Sequence, residues 1–325
     1  MSEAVAYLVD AFTETPGKGN RAGVVLDAAA LDAAQMQEIA RVIGASETAF
    51  VIRSEVPQPD YDFEVKYFTP KKEVPSCGHA TIATNWLLAF LKNTSSDELR
   101  IKTQAGILPI NIDRIGDRIQ ITMTQRQPKL EAPLGVEDRR AILEALHITE
   151  NDLISDMPIQ VADTGHSKVM VPLKSKAILD GLKLNGTDLE KLVKVSERIG
   201  CNGFFAFTLD TGGREDIFLA GRMFAPAIGI PEDPVTGNAN GPAIFYLHEH
   251  GLLKDFGGQN PISYKAIQGE AMGKSGIITA ALHCENGNAS KVQVIGSAVL
   301  AGEMVFNIAV RPPKLVKTEF ISLVA

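Results

Sequence analysis

The chain has 325 residues, more than one domain usually needs, so two domains are the default expectation. Apolar residues make up 45 % and charged residues 22 %, an ordinary globular balance that excludes a disordered chain. A formal net charge of −7, with Lys and Arg scattered along the chain, argues against nucleic-acid and anionic-membrane partners.

The opening segment MSEAVAYLVDAF carries Glu3 and Asp10 and lacks the basic-then-apolar order of a secretory leader, and no run reaches membrane-spanning length. Cys77, Cys201 and Cys284 are an odd, sparse set without metal-type spacing, so the expected compartment is the reducing cytoplasm. Residues 17–23, GKGNRAG, suggest a phosphate loop, but they lead into the strand VVL without Walker spacing and predict a hairpin connection. Residues 31–42 carry apolar positions at helical spacing after Asp27 and Asp32, and residues 61–68 alternate as a half-buried strand does. Residues 80–91, ATIATNWLLAFL, are apolar on nearly every face, which predicts a helix enclosed by its own domain. A polar Gln, Arg and Pro stretch at 124–133 has linker character. Beyond it the order recurs, with a helix at 187–199, a strand at 216–224 and a second all-round apolar helix at 239–247. His248 and His250 look like a metal pair, but a separation of two splits them across a helix, and Gly251 marks its end as a solvated terminus.

The recurrence is a sequence repeat. Ile43-Gly44 matches Ile199-Gly200 at an offset of 156 (199 − 43), and the same offset pairs Phe68 with Phe224, Pro70 with Pro226 and Pro75 with Pro231. Residues 19–26 match 164–171 at a shorter offset, setting Gly23 beside Lys168. The prediction is two similar units, each a sheet wrapped about a central buried helix.

The turns that open the two apolar helices carry the candidate chemistry. Cys77-Gly78-His79 opens the first and Asp233-Pro234-Val235-Thr236-Gly237-Asn238 the second, and the shared offset superposes Cys77 on Asp233 (233 − 77 = 156). Helix starts attract carboxylates and lower a thiol's pKa, so an anionic substrate is expected in a cleft between the halves. Glu47 falls at the position of Gly203 in the second copy, which leaves a single carboxylate, as a one-base proton shift requires. Plainer readings stand beside these. Ser46-Glu47-Thr48 also reads as a cap or turn, His79 as a core histidine, Asp233 as an N-cap before Pro234, and Cys77 as a small buried hydrophobe.

The segments VDAFTETPGKGNRAGVVL, ASETAFV, YFTPKKEVPSCGHATIA, PEDPVTGNANGPA and QGEAMGKSG resemble the PhzF family of the phenazine-biosynthesis isomerase, within the diaminopimelate-epimerase-like fold. The resemblance covers nearly the whole chain. It implies Glu47 as the catalytic acid/base, with His79 and Asp233 lining the site. Ser46, Gly78, Gly237 and Asn238 would hold the substrate carboxylate and ring substituents, with Cys77 beside them. It also implies no metal, flavin or nicotinamide, and a homodimer. Arg21, Asn238, Asn240 and Lys274 depart from the usual family residues and bear on the substrate rather than the fold.

The expected fold is α+β: two pseudo-symmetric domains, each a mixed sheet or barrel around a buried helix, at 1–126 and 127–312, with a tail at 313–325 packing back on the first. Three functions fit. The leading one is a cofactor-independent isomerase that shifts a proton and double bond on a small, cyclic, hydroxylated amino acid through Glu47. The second is a two-base racemase or epimerase using Cys77 and Asp233. The third is a non-catalytic binder of small acids.

Overall fold

The chain divides into two units, Met1–Thr124 with Ile295–Ala325, and Gln125–Val294. A computed structural model describes residues 3–54, 56, 58–201, 203–256 and 258–321. The first unit contains β1 (Glu3–Ala11), β2 (Asn20–Val25), α1 (Ala33–Ile43), β3 (Glu47–Ile52), β4 (Phe63–Phe68), β5 (Glu73–Val74), α2 (Gly78–Phe90), β6 (Glu98–Thr103), β7 (Gly106–Ile115) and β8 (Arg118–Thr124). There follow β9 (Lys129–Pro133), α3 (Val136–Leu146), β10 (Gln160–Asp163), β11 (Lys168–Leu173), α4 (Lys176–Gly181), α5 (Gly186–Ile199), β12 (Phe204–Thr208) and β13 (Leu219–Ala225). The chain continues through β14 (Ile230–Asp233), α6 (Gly237–Glu249), β15 (Ile262–Gln268), β16 (Gly276–Glu285), β17 (Asn288–Gly296), β18 (Ala298–Asn307) and β19 (Lys314–Phe320).

Local chemistry explains the outer helices. Asp32 accepts from Gln35 N at 2.8 Å while Gln35 Oε1 accepts from Asp32 N at 3.1 Å, a reciprocal cap on α1. Gly44, at φ 68°, closes the same helix in the left-handed region that glycine adopts without strain. Helix α5 repeats the device, with Asn185 and Asp188 at its start and Gly200 at φ 66° after its end. The apolar stripe of α1, including Met36 and Ile39, packs on Phe50 and Phe68, whose rings meet edge to face at 5.5 Å. In the second unit Leu192 and Val195 of α5 join a core containing Phe204 and Phe224.

The inner helices are enclosed, as their composition predicts. Every residue from His79 to Ala89 of α2 is buried, and the helix packs against β1, β2, β3, β7, β8 and β18. Helix α6 is buried from Ala239 to Leu247 and packs against β10, β11 and β16. Among the described residues no helix is long and apolar enough to cross a membrane.

The architecture is α+β, with mixed sheets. In the first unit β2 runs parallel to β3, β3 antiparallel to β4, and β4 parallel to β6. The second unit repeats this order with β11, β12, β13 and β15. Thr48 opposes Phe68 and Phe204 opposes Phe224, so both positions keep the offset of 156 (204 − 48, 224 − 68). Three expectations change. Strand β18 pairs antiparallel with β1, from Ala11↔Ala298 to Glu3↔Asn307 with a register shift between Leu8 and Val9, so the chain returns to the first unit at Ile295 rather than after residue 312. Strand β2 sets Gly23 against Thr48 while β11 sets Val169 against Phe204, which matches Gly23 with Val169 and moves the 19–26 alignment by one residue. His250 is also no simple solvated terminus: its ring lies 4.5 Å from that of Tyr246, and its Nε2 is 2.9 Å from Gln160 Oε1.

Candidate active site

In the first unit the structure brings Ser46, Glu47, Cys77 and His79 together. Glu47 opens β3, where it pairs with Ala22 of the parallel neighbour β2. Side chains alternate along a strand, and Phe50 and Ile52 face the core beneath α1. The opposite parity turns Glu47 toward α2. Its Oε2 lies 3.4 Å from His79 Nε2, but out of hydrogen-bond alignment, and among the described residues this buried oxygen has no hydrogen-bond partner. Ser46 Oγ lies 3.2 Å from the same nitrogen, while Cys77 Sγ is 3.4 Å from His79 Nδ1 and 3.8 Å from Nε2. Glu47, Cys77 and His79 are exposed by only 9, 7 and 6 %.

The start of α2 is anchored from behind. Cys77 is its N-cap in extended conformation and makes no side-chain cap, so the first-turn amides of Gly78 and His79 are not consumed by it. Thr81 donates its single hydroxyl proton to Cys77 O at 2.7 Å. Tyr67 must then be the donor in its 2.7 Å contact with Thr81 Oγ1. Burial pushes the Tyr67 phenol well above its ordinary range, which keeps that donor protonated.

The second unit builds its counterpart differently. Asp233 ends β14 and is not at the helix start; Thr236 is the N-cap of α6, and Gly237 and Asn238 form its first turn. Three residues intervene because β14 carries the chain past the equivalent point before α6 begins. Asp233 accepts a hydrogen bond from Thr236 Oγ1. Gln268 knits the segment together: its Nε2 donates to Asp233 O at 2.8 Å and Thr236 Oγ1 at 3.1 Å, and its Oε1 accepts from Thr236 N at 3.1 Å and Asn240 Nδ2 at 3.2 Å. Gly269, at φ 84°, follows because a Cβ there would overlap Lys274 O and press on Pro234 O. Gln125 Nε2 reaches Asn238 Oδ1 at 3.2 Å and Gly237 O at 3.3 Å.

A side chain at Gly203 would have to displace its neighbours. A Cβ there would overlap Met223 Cε and lie 2.6 Å from Lys168 Cδ. Lys168 donates to Ser167 O at 3.0 Å; its amine is pushed down by burial, against the opposing pull of Cys201, Asp163 and Asp233. Beside it His166 is held down to about 4, chiefly by burial and then by Lys168. Lys168, His166 and Gln268 were not singled out from the sequence. Lys168 carried one readable signal, a cation inside the otherwise apolar strand KVMVPL.

Residues 9–303 match the family described as phenazine biosynthesis-like protein, PhzC-PhzF. The Escherichia coli K12 protein described as uncharacterized isomerase YddE is 45 % identical over 294 residues, which span 90 % of this chain and 95 % of that one. The trans-2,3-dihydro-3-hydroxyanthranilate isomerase of Pseudomonas chlororaphis is 33 % identical over 296 residues, 91 % of this chain and 96 % of that one. The crystal structure of the Bacillus anthracis phenazine biosynthesis protein of the PhzF family superposes with a TM-score of 0.83 at 32 % identity, covering 94 % of this chain and 99 % of that one.

Proposed function

Because the chain belongs to the PhzC-PhzF family and is an isomerase, we propose that it moves a proton and a double bond within a small, cyclic, hydroxylated amino acid, with Glu47 as the shuttle. The observation that carries this reading is Glu47 Oε2, a buried carboxylate oxygen with no hydrogen-bond partner among the described residues. Leaving such an atom unmet costs about 1–3 kcal/mol, a cost that is recovered when a substrate C–H or O–H is delivered to it. In the reaction one carboxylate oxygen takes a proton from a ring carbon, the electron pair left behind moves the double bond, and Glu47 returns the proton to a second carbon. Atoms and electrons balance within the substrate, so the chemistry asks for no electron acceptor.

The neighbours have separable tasks in this proposal. His79, with Ser46 at its Nε2, packs 3.4 Å from Glu47 Oε2 and walls one side of the carboxylate. The amides of Gly78 and His79 at the start of α2 favour a substrate carboxylate. Asp233, Gly237 and Asn238 are assigned to substrate binding. The Pseudomonas chlororaphis relative acts, by its name, on a ring bearing hydroxyl, amino and carboxyl groups, which supports the same substrate class here.

Solvent-deuterium incorporation into a panel of cyclic hydroxylated amino acids, including trans-2,3-dihydro-3-hydroxyanthranilate, tests the proposal. Glu47→Gln should reduce exchange by at least about 10²-fold while ligand binding persists, and Cys77→Ser should be mild. A two-base racemase predicts the reverse order. Binding without exchange by the unsubstituted protein would support the non-catalytic reading.

A further inference from the structure

Lys168 is an unanswered cation inside the second unit. It is 6 % exposed, on a strand whose residues are all buried. Lysine is almost never enclosed to this degree without an anionic partner. Its Nζ donates to two main-chain carbonyls, Ser167 O at 3.0 Å and His166 O at 3.5 Å. A charged amine carries three N–H groups, so one is left over, and among the described residues Lys168 forms no ion pair. The acidic groups whose charge it feels are Cys201, Asp163 and Asp233, and each is engaged elsewhere. Cys201 Sγ donates to Gly203 O at 3.7 Å, Asp163 accepts from Gly165 N, and Asp233 accepts from Thr236 Oγ1.

The repeat gives this cation its place. Val169 pairs with Phe204, so Lys168 stands beside Gly203 as Ala22 stands beside Glu47. A Cβ at Gly203 would lie 2.6 Å from Lys168 Cδ and 3.0 Å from its Cε, so the lysine runs through the space of the absent side chain. Where the first unit presents a carboxylate from β3, the second presents an ammonium from β11. The surroundings add to the positive charge: after burial, Lys168 is what most holds His166 down, and Arg126 acts in the same direction against the pull of Asp163.

We propose that Lys168 anchors an anion site in the second unit and that the ligand is the carboxylate of a small organic acid. A carboxylate meets the spare N–H with a charge-assisted hydrogen bond of about 2.7–2.9 Å and supplies the missing counter-charge. An ammonium is a compact charge with rotatable donors, so it holds one oxygen without demanding a bidentate fit. A dianionic phosphate would bring a second negative charge beside Asp163 and Asp233, which favours a monoanion. The acid is either the isomerase's own substrate or a separate metabolite, and the site itself does not depend on Glu47 being the shuttle.

The test is calorimetric titration of the full-length protein with sodium anthranilate, beside its uncharged analogue anthranilamide. Anthranilate should bind at least about tenfold more tightly than the amide. Lys168→Met keeps the stem and deletes the charge, so it should weaken anthranilate binding at least about tenfold, while Lys183→Met, on the surface, should leave it unchanged. Because the ammonium is enclosed without a counter-charge, the urea midpoint of Lys168→Met should hold or rise. Undiminished affinity in Lys168→Met, equal binding of the amide, or no anthranilate binding up to about 10 mM would overturn the anchor. Weakened binding with a lowered midpoint would make Lys168 a structural residue and overturn it as well. The deuterium-exchange assay identifies the source of the acid. If it is the substrate, anthranilate competes and Lys168→Met raises KM more than it lowers kcat; if it is a separate acid, anthranilate leaves KM unchanged. Anthranilate bound through Lys168 by a protein that exchanges no proton across the substrate panel would keep the anchor and overturn the isomerase reading.

Discussion

Gln268→Met tests whether residues 233–240 of the second unit are held by one side chain. Gln268 is 1 % exposed and makes four hydrogen bonds that tie Asp233, Thr236 and Asn240 together. Methionine matches its length and removes all four. Asn240 Nδ2 keeps its 3.0 Å bond to Thr236 O, and Thr236 Oγ1 keeps Asp233. The loss therefore falls mainly on Thr236 N–H, together with the net value of the three other bonds. At about 1–3 kcal/mol for a buried donor stripped of its partner and about 1 kcal/mol for each of the others, offset in part by apolar contacts of the methionine, the expected destabilisation is about 3 kcal/mol. Urea denaturation followed by far-UV ellipticity reads this as a midpoint lowered by about 1–2 M. A midpoint shift below about 0.3 M would refute the reasoning, because it would mean that the network contributes less than about 1 kcal/mol.

Gly241→Ala should cost about 1–3 kcal/mol, since its Cβ would overlap Gln125 Oε1 and break the contacts of Gln125 with Thr164 and Asn238; a double-mutant cycle with Gln125→Ala should recover part of that loss as coupling energy. His166 has a folded-state pKa of about 4 against an ordinary 6.5, lowered by burial, Lys168 and Arg126 and opposed by Asp163. The unfolded chain therefore binds the proton more readily, and stability is full above pH 6.5 and falls by about 3 kcal/mol as pH drops toward 4. His166→Gln should flatten that part of the pH–stability profile, and an unchanged profile would contradict the assignment. Glu47→Gln and Cys77→Ser should separate in the exchange assay as described above, with Glu47→Gln the more damaging.

Much of the fold was legible because its determinants are local. A capping residue and apolar spacing mark α1, the repeat marks α5, and all-round apolarity marks α2 and α6. The repeat was legible too, because Phe68 and Phe224 are core positions that recur at one spacing. Of the candidate site, the contact of Cys77 with His79 lies within one turn and could be anticipated from sequence neighbours.

Tertiary structure decided the rest. Which unit receives residues 298–307 depends on pairing with β1 across nearly the whole chain, and no local pattern encodes it. That three residues separate Asp233 from α6 depends on how far β14 continues its pairing with β13, and its restraint by Gln268 spans 35 residues. Glu47 meets Cys77 and His79 only because strand parity turns it away from the core beneath α1 and the sheet lays α2 on the other face. Composition and periodicity determine which segments form and which faces are apolar; the meeting of a carboxylate, a thiol and an imidazole is set by non-local strand pairing, which places side chains from distant segments on one surface.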